Sequence, residues 1–517
     1  MARRTRDKNA SSAEPDVYSA PEGGIPVGVY GIQMGDAKSR IQFGRLAAML
    51  AGVLGFVIWA LMPELPDAVD PQGKHFVLDK QAQLALGLFV LAAIWWVFEV
   101  VPVGVTAIAI AVGQALFGIR DPRAAFTDFM DPAVWFIIGA LSIGAAFGRS
   151  GLTNRIAYRM LALVGERVAM IYFGCFVMTA FLTLFMAHSA VAPAVFPLLA
   201  VIHSIYSGDD SPTRFGKGLF IGMAFTAGAG SIITLFGAAR GAVAISLYRD
   251  LVGREISFFE LTYYMLPLGV VMIFLLWIYI LAVFPPEREV MPGLKQRAKE
   301  LHKSLGPLSW QEWLVTIITL VAVLAMSLRS VVPWLGPIDK SAIILAAAVL
   351  FFVCGCLRLR DLESLPLNII LLFGGAMSIG FCLWQTGAAQ WLAIQWLNAL
   401  PSNSGFLFVV GVGAFILVMT NLIMNVAAIA ISLPVALAIG PYLGVTPEVI
   451  FFTAIAAAGM PFLSLVGAAP NAIAYQSRQF TAAEFFRAGL PASVLLVVVI
   501  ALFVWKVWPW MGMPTYQ

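Results

Sequence analysis

Long apolar stretches follow one another along most of the chain, and short polar segments separate them. Most of these stretches come near the roughly 20 residues that an α-helix needs to cross a bilayer. One run is about twice that length and is interrupted at Glu99 to Pro102, where we predict that the chain turns back. The predicted spans cover 43–62, 84–119, 132–148, 217–248, 263–284, 311–334, 341–357, 365–386, 447–475 and 488–510. The pattern therefore predicts an all-α polytopic membrane protein with about 11 transmembrane helices.

Two further apolar segments, 170–205 and 405–440, have a different pattern. Each carries polar or helix-breaking residues at its middle, Ala187-His188-Ser189 in the first and Met424-Asn425-Val426 in the second. An interruption of this kind is typical of a hairpin that enters the membrane, turns at its tip and returns to the same face. We therefore predict two re-entrant hairpins with these tips.

The distribution of Lys and Arg supports the hairpins. Short cytoplasmic loops carry an excess of these residues, and the basic loops all fall on one face only if neither hairpin crosses the membrane completely. The orientation that follows has a cytoplasmic N-terminus and an external C-terminus in the cell (inner) membrane. The basic residues that set it are Arg3, Arg4, Arg6, Lys8, Lys38, Arg40, Arg45, Arg149, Arg155, Arg159, Arg167, Arg288, Lys295, Arg297, Lys299, Lys303, Arg358, Arg360, Arg478 and Arg487.

The chain contains the same unit twice. The sequence GALSIG at Gly139 to Gly144 returns 236 positions later as GAMSIG at Gly375 to Gly380. The hairpin prolines Pro197 and Pro434 are 237 positions apart, and a Gly-Ala-Ala shared by Thr234–Tyr248 and Ser464–Arg478 returns after 230. The span before the first hairpin runs inward and the span before the second runs outward, so the two repeats are predicted to be inverted, as in many secondary transporters.

Each repeat also has a span broken by glycine or proline. Unwound backbone survives in hydrocarbon only where it faces protein, water or a ligand, so we expect both breaks to meet the hairpin tips near the midplane. Helix N-termini there favour an anion, and exposed carbonyls favour a small cation. The breaks contain Gly228, Gly230 and Gly237 in one span, and Gly459, Pro461, Gly467 and Pro470 in the other. The predicted cation-binding residues are Asn425, Gly230, Gly237 and Gly467.

Composition excludes a soluble protein, because 60% of the residues are hydrophobic and 12% are charged, whereas soluble surfaces need about a quarter charged residues. The sequence has no phosphate-binding loop, zinc motif or nucleophile elbow, and its four cysteines lack metal-binding spacing. We therefore expect no enzyme, no nucleic-acid partner and no cofactor apart from Na⁺ or H⁺ as a coupling ion.

These motifs, taken in order, resemble the divalent anion/sodium symporter family within the ion transporter superfamily. They are Trp95-Trp96 through Glu99 to Pro102 and Thr106, the stretch Gly151 to Ala157, the paired hairpins, and Gly467 to Ala472. The resemblance implies an elevator-type homodimer in which hairpins and broken helices carry a small anion against a scaffold. Together with the composition of the N-terminal segment, it predicts a disordered cytoplasmic tail (1–42), scaffold helices with the start of repeat 1 (43–148), the first transport half (149–262), scaffold helices with a cytoplasmic linker at 285–310 (263–400), the second transport half (401–487), and the last helix with the C-terminus (488–517).

The hairpin tips depart from the family pattern, which is Ser-Asn-Thr at each tip. Only Asn425 matches outright, while Ser189 keeps a hydroxyl where the family has Thr. His188 replaces an Asn and is able to carry a proton or to donate to an anion; alternatively, it is a neutral histidine bonded to a nearby carbonyl. The predicted substrate-binding residues are His188, Ser189, Asn425, Arg240, Pro470 and Asn471.

Arg240 stands where the other repeat has Pro470, inside an otherwise uncharged run. A charge buried there is costly and usually functional, so we expect a fixed cation that supplies charge beside the anion. The alternative is an arginine that extends to the outer surface near Arg249 and Asp250.

Three functions compete at this point. The favoured one is a secondary active transporter of small dianions, such as C4-dicarboxylates, coupled to protons, to sodium through a reduced site, or to exchange. The second is a transporter of an inorganic oxyanion, sulfate or arsenite, with the same fold. The third, a membrane enzyme or sensor, requires an acid–base cluster or an extramembrane domain, and the sequence shows neither.

Overall fold

The computed structural model describes residues 38–63, 65–69, 74–98, 100–207, 211–329, 332–399, 404–422, 424–465 and 467–515. The predicted tail, 1–42, lies outside the described residues as far as residue 37, and Glu99 lies outside them too. The first helix begins at Lys38, so it takes in the last residues assigned to the tail.

The described chain is predominantly helical, which confirms the predicted fold class. Ten of the described helices are long and apolar enough to cross a membrane. The strands β1 (Ala68–Val69) and β2 (His75–Phe76) form a short antiparallel pair between the first two helices. No closed sheet occurs within the described ranges.

The first half of the chain forms eleven helices. They are α1 (Lys38–Leu61), α2 (Lys80–Val97), α3 (Val103–Leu116), α4 (Pro122–Thr127), α5 (Pro132–Ser150), α6 (Leu152–Val164), α7 (Val168–Leu182), α8 (His188–Ser207), α9 (Arg214–Gly230), α10 (Arg240–Val252) and α11 (Phe258–Val283).

A linker with one helix of its own, α12 (Leu294–Ser304), precedes the second half. The helices of the second half are α13 (Trp310–Leu328), α14 (Lys340–Val353), α15 (Leu359–Glu363), α16 (Leu367–Gln385), α17 (Ala388–Ala399), α18 (Gly405–Leu422), α19 (Asn425–Ile439), α20 (Pro447–Gly459), α21 (Ala469–Tyr475), α22 (Ala482–Leu502) and α23 (Trp508–Trp510).

The helix boundaries extend the repeat beyond its sequence motifs. Helices α3 and α14 are both 14 residues long and begin 237 positions apart. The same correspondence relates α5 to α16, α6 to α17, α7 and α8 to α18 and α19, and α9 and α10 to α20 and α21. The repeat therefore starts well before the glycine motif that reveals it.

The glycine motif brings the two halves into close contact. A Cβ atom on Gly139 of α5 would lie 2.8 Å from Cγ2 of Ile344 in α14, and one on Gly375 of α16 would lie 2.5 Å from Cα of Ala107 in α3. These two crossings are equivalent under the repeat, and in both the partner helix belongs to the other half. Because a side chain would not fit at either crossing, helix packing explains the first glycine of each motif.

Contacts between helix ends and loops fall into two separate sets. Ion pairs and hydrogen bonds join predicted cytoplasmic segments to one another and predicted external segments to one another. On the predicted cytoplasmic side they include Arg149 with Asp361, Arg155 with Glu312, Lys217 with Glu484, and Gly104 with Asn368. On the predicted external side they include Arg120 with Gln385, Arg254 with Glu448, Lys340 with Glu255, and Thr446 with Thr515.

The first hairpin, α7 and α8, has both of its ends on the same segment of the linker. The Val168 amide at one end donates to the Glu289 carbonyl at 2.9 Å, and the Tyr206 hydroxyl at the other end donates to the Glu287 carboxylate at 3.0 Å. Glu287 also accepts the backbone amides of Arg214 and Phe215. Burial alone would raise the pKa of the Glu287 carboxyl. The hydrogen bonds that it accepts outweigh this effect, so its pKa lies below the usual value. Both ends of the hairpin therefore lie beside one charged linker segment.

The rest of the linker is fixed to α6. Helix α12 packs on α6, and Arg155 of α6 donates to the carbonyls of Leu305, Gly306 and Pro307. The same guanidinium pairs with Glu312 in the first turn of α13, with Nε 2.7 Å from Oε1. Arg155, which belongs to the motif Gly151 to Ala157, thus ties α6 to the linker and to the helix after it.

Cysteine labelling tests the orientation without an engineered site. Cys354, at the C-terminal end of α14, is exposed, while Cys175, Cys356 and Cys382 are buried. We expect a membrane-impermeant maleimide to label the protein only after cells are permeabilised, because Cys354 lies on the predicted cytoplasmic face. The Cys354→Ser variant is the control and should remove the labelling. Labelling of Cys354 in intact cells would show that the orientation is reversed.

Candidate functional site

The two hairpin tips and the two helix breaks line one cavity. The cavity is lined by Phe136, Ile137, Ala140, Leu141, Ala187, His188, Ser189, Leu235, Phe236, Ala238, Ala239, Ile369, Phe373, Met424, Asn425, Val426, Gly467, Ala468 and Ala469. Both repeats contribute equivalent positions, so the cavity lies between the two halves of the chain.

Several helices start at this cavity. Helix α8 begins at His188 and α19 at Asn425, while α10 begins directly after Ala239 and α21 directly after Ala468. The first backbone amides of a helix have no partner within it, and its dipole is positive at that end. No Asp or Glu is among the described residues that line the cavity. The local electrostatic potential therefore favours a negatively charged ligand.

His188 is held at the tip of the first hairpin by a single carbonyl. Its backbone amide and its ring Nδ1 both lie 2.9 Å from the oxygen of Gly237 in the first break. A carbonyl only accepts, so Nδ1 carries the proton, and Nε2 is the nitrogen that remains for a ligand. The structure thus contains the carbonyl bond of the alternative interpretation and also places His188 in the cavity lining. The predicted cation ligand Gly237 uses its carbonyl for this bond.

Ser189 and Asn425 supply the other polar side chains of the lining. Asn425 is 7% exposed, and its carboxamide has no protein hydrogen bond among the described residues. Ala187, Met424 and Val426, the remaining tip residues, offer only apolar surface. The polar face of the site is therefore narrow, with one imidazole, one hydroxyl and one carboxamide.

Asn471 and Pro470 lie behind the cavity. The Asn471 carboxamide donates to the carbonyls of Pro461 and Ser464 at 2.7 and 2.8 Å. It thereby closes the second break on itself, and it is 2% exposed. Pro470 is buried in the first turn of α21. Both residues shape the break, and neither lines the cavity.

Sequence reasoning missed Asn421, which fixes the second hairpin to the second break. Its Oδ1 accepts the amides of Leu463 and Ser464 at 2.8 and 3.1 Å. In the first repeat the equivalent link is the Thr234 hydroxyl, which donates to the Leu184 carbonyl at 2.9 Å. The two links use different atoms at matching positions, so residue identity gave no signal for either.

Gly230 and Gly467 allow the hairpins to approach the breaks. A Cβ on Gly230 would lie 2.6 Å from Cα of Ala180 in α7, and one on Gly467 would lie 3.0 Å from the Thr420 carbonyl in α18. Gly467 also lines the cavity, whereas Gly230 does not. Each glycine is explained by the close packing of a hairpin arm.

Arg240 is buried inside the protein. It is 1% exposed, which excludes the predicted alternative of an extension to the outer surface. Its Nη2 donates to the Ser231 hydroxyl at 2.7 Å. The guanidinium does not line the cavity, although the adjacent residues Ala238 and Ala239 do. Its charge therefore acts from just behind the wall.

A second cavity adjoins the first on the predicted cytoplasmic side. It is lined by residues 100–103 at the start of α3, by Asn368, and by Arg45 of α1. Ile369 and Met424 line both cavities. These two residues therefore lie between the two cavities.

Comparison with known families gives a match over most of the chain. The family model for the sodium:sulfate symporter transmembrane region matches residues 47–514. The sodium-dependent dicarboxylate transporter SdcS of Staphylococcus saprophyticus is 25% identical over 487 residues, which is 90% of this chain and 92% of that protein. SdcS of Staphylococcus aureus strain RF122 is 26% identical over 493 residues, covering 91% of this chain and 93% of that protein.

Two solved structures share the overall fold. The YdaH transporter of Alcanivorax borkumensis superposes with a TM-score of 0.52 at 12% identity, covering 92% of this chain and 99% of that one. MtrF of Neisseria gonorrhoeae, described as illuminating a class of antimetabolite efflux pumps, superposes with a TM-score of 0.54 at 13% identity, covering 95% and 98%.

Proposed function

Because the chain belongs to the sodium:sulfate symporter family, the divalent anion/sodium symporters, we propose that it is a secondary active transporter of small dianions, with C4-dicarboxylates such as succinate as the preferred class. The relatives named above are described as sodium-dependent dicarboxylate transporters, which supports this substrate class. Membership of this family indicates that the protein is a membrane transporter rather than an enzyme.

One observation carries the proposal: helices from both repeats begin at the same cavity, and no acidic side chain lines its described wall. Helices α8, α10 and α19 are each at least 13 residues long, so their dipoles are substantial. Two opposed sets of amides suit a solute with negative charge at both ends. A dicarboxylate has that form, and its carbon chain suits the apolar remainder of the lining.

The helices around the cavity form one packed unit, which supports an elevator mechanism. The second arm of each hairpin packs on the short helix after the break of the other repeat, α8 on α21 and α19 on α10. The first arms pack on the helices before the breaks, α7 on α9 and α18 on α20. We propose that this unit moves as one body against a scaffold that includes α3, α5, α14 and α16. A homodimer through the scaffold belongs to the same proposal.

Transport at this site is compatible with three driving gradients. A sodium gradient is supported by the names of the relatives. Protons through His188 and exchange against a second anion are the alternatives, because the tips keep few of the side-chain oxygens that bind sodium. The decisive experiment measures uptake of labelled succinate into proteoliposomes under a sodium gradient, a proton gradient and a counter-anion gradient applied separately. Uptake driven by none of the three would contradict secondary active transport of this substrate.

Sulfate is the second candidate substrate, because the matching family model is named for sodium:sulfate symport. The same proteoliposomes distinguish the two, with unlabelled sulfate and unlabelled succinate as competitors for labelled succinate. We expect succinate to compete at concentrations at least about tenfold lower, since an extended dianion reaches both tips. Stronger competition by sulfate would reverse the assignment.

His188→Asn tests the ring directly. Asn is able to keep the bond to the Gly237 carbonyl, but it has no counterpart of the ring nitrogen Nε2, which remains for a ligand. We expect initial uptake to fall about tenfold, with protein abundance unchanged. Unchanged flux would assign His188 a structural role only.

A further inference from the structure

Arg240 is a buried cation that has no acidic partner among the described residues. Its Nε and Nη1 have no hydrogen-bond partner in the part of the chain that the structure describes, and its one side-chain bond there is to the Ser231 hydroxyl. A buried charge is normally paired, because an unpaired one is costly. The surroundings of the guanidinium must therefore compensate its charge in another way.

The guanidinium lies where the C-terminal ends of two helices meet. Ser231 directly follows α9 and donates from its hydroxyl to the Gly228 carbonyl at 2.7 Å. On the other side, a Cβ on Gly459, the last residue of α20, would lie 2.9 Å from Nη2 of Arg240. Helix α9 belongs to the first repeat and α20 to the second.

Helix C-termini carry a partial negative charge and unpaired carbonyls. In transporters with broken helices, such ends coordinate the coupling cations. The equivalent position of the second repeat is Pro470, so the two halves supply one fixed cation between them. The charge lies between one helix end of each half, next to the wall formed by Ala238 and Ala239.

We propose that Arg240 is a resident cation of the transporter, a positioning residue that neutralises the C-terminal ends of α9 and α20 and makes a bound cation unnecessary at that point. This inference rests on the proposed function for its transport consequences and on geometry alone for its location. The fixed charge holds the two breaks together. It also raises the electrostatic potential at the anion site, which lies on the other side of the wall formed by Ala238 and Ala239. The negative charge of a bound dianion is then partly compensated even when no coupling ion is bound.

Chemical rescue tests the proposal. Arg240→Ala removes the guanidinium and leaves a space of its shape between the two helix ends. We expect KM for succinate to rise at least about tenfold. Guanidinium chloride at roughly 1–10 mM, far below denaturing concentrations, should lower the KM of this variant at least about threefold. Arg249→Ala is the matched control, since Arg249 lies on the same helix and pairs with Asp250; guanidinium should not change its KM.

A thermal-shift measurement on purified protein needs no transported substrate. Guanidinium at the same concentrations should raise the melting midpoint of Arg240→Ala and leave the wild type and Arg249→Ala unchanged. An equal change in the melting midpoint of all three proteins would contradict the proposal that Arg240 is a resident cation. If the wild type fails to carry succinate but the selective shift is present, the proposed substrate fails and the cation site stands.

Two further variants keep the test decisive if Arg240→Ala does not fold. Arg240→Lys retains the charge, and Arg240→Gln retains hydrogen bonding without it. We expect Lys to keep KM within about threefold of wild type and Gln to raise it at least about tenfold at equal abundance. Equal behaviour of Lys and Gln would show that the charge is irrelevant and would contradict the proposal.

Discussion

Alanine in place of Gly489 should remove most of the folded protein from the membrane. Gly489 lies in α22, and a Cβ there would overlap the carbonyl oxygen of Phe462 and lie 2.6 Å from its carbonyl carbon. Phe462 belongs to the second break, whose backbone is fixed by Asn421 and Asn471. Because the obstacle is backbone, it is unable to move aside as a flexible side chain would, and we expect destabilisation of about 3 kcal/mol or more.

The measurement is the melting midpoint of detergent-solubilised protein, together with the amount recovered from membranes. We expect the midpoint to fall by at least about 6 °C. Gly411→Ala is the matched control, because Gly411 is also a helical glycine but a Cβ added to it would meet no atom within 4 Å. It should leave the midpoint unchanged or raise it slightly, since Ala favours helix over Gly. Wild-type recovery and midpoint for Gly489→Ala would contradict this packing of α22 on the break.

Replacing Asn425 by Ala should raise KM for succinate about 10- to 150-fold and leave protein abundance unchanged. The carboxamide belongs to the cavity lining, and we assign it a hydrogen bond to a carboxylate of the bound anion. A hydrogen bond to a charged group contributes about 1.5–3 kcal/mol, which corresponds to that range of affinity. The measurement is the concentration dependence of initial uptake into proteoliposomes.

Asn471→Ala is the contrasting variant. Asn471 bonds to two carbonyls of the break and does not line the cavity, so its loss should lower the melting midpoint and the recovered amount while KM of the surviving protein changes less than about threefold. The two asparagines therefore separate anion binding from support of the break. If Asn425→Ala lowers abundance and leaves KM unchanged, the assignment of Asn425 to the substrate is wrong.

Much of the fold was predictable because membrane proteins obey strong constraints on hydrophobic length and charge. The apolar runs gave the helices, and the turn at Pro102 falls between α2 and α3, as expected. The repeat was visible through Gly139 and Gly375 because a close helix crossing tolerates no side chain at either position. Helices α3 and α14, which make those crossings, kept their length but little sequence in common, so only the structure revealed them as a pair.

The site was predictable in part. Tip residues were found because polar groups are conspicuous in apolar runs, and the structure places His188, Ser189 and Asn425 around one cavity. The orientation of the side chains near the breaks was not predictable, since an unwound segment has no periodicity that fixes which residue faces the ligand. For this reason, the sequence predicted Asn471 and Arg240 as ligand contacts, although neither residue lines the cavity.

Asn421 and Glu287 gave no signal at all. Asn421 lies in a regular apolar helix and bonds to backbone amides 42 and 43 positions away in sequence. Glu287 is one charge among many in a polar linker, and its partners include two backbone amides and a hydroxyl. Bonds to backbone require no particular partner residue, so they leave no pattern to recognise.

The attachment of the linker has a mechanical consequence. Helix α6 is tied to α13 through Arg155 and Glu312, whereas the hairpin that follows is tied to residues 287–290. Gly165 joins the two parts with φ of 90°, and a side chain there would meet open space. Glycine gives the backbone its widest freedom of rotation. If the hairpin is displaced relative to α6, we therefore expect the backbone rotation to be concentrated at Gly165.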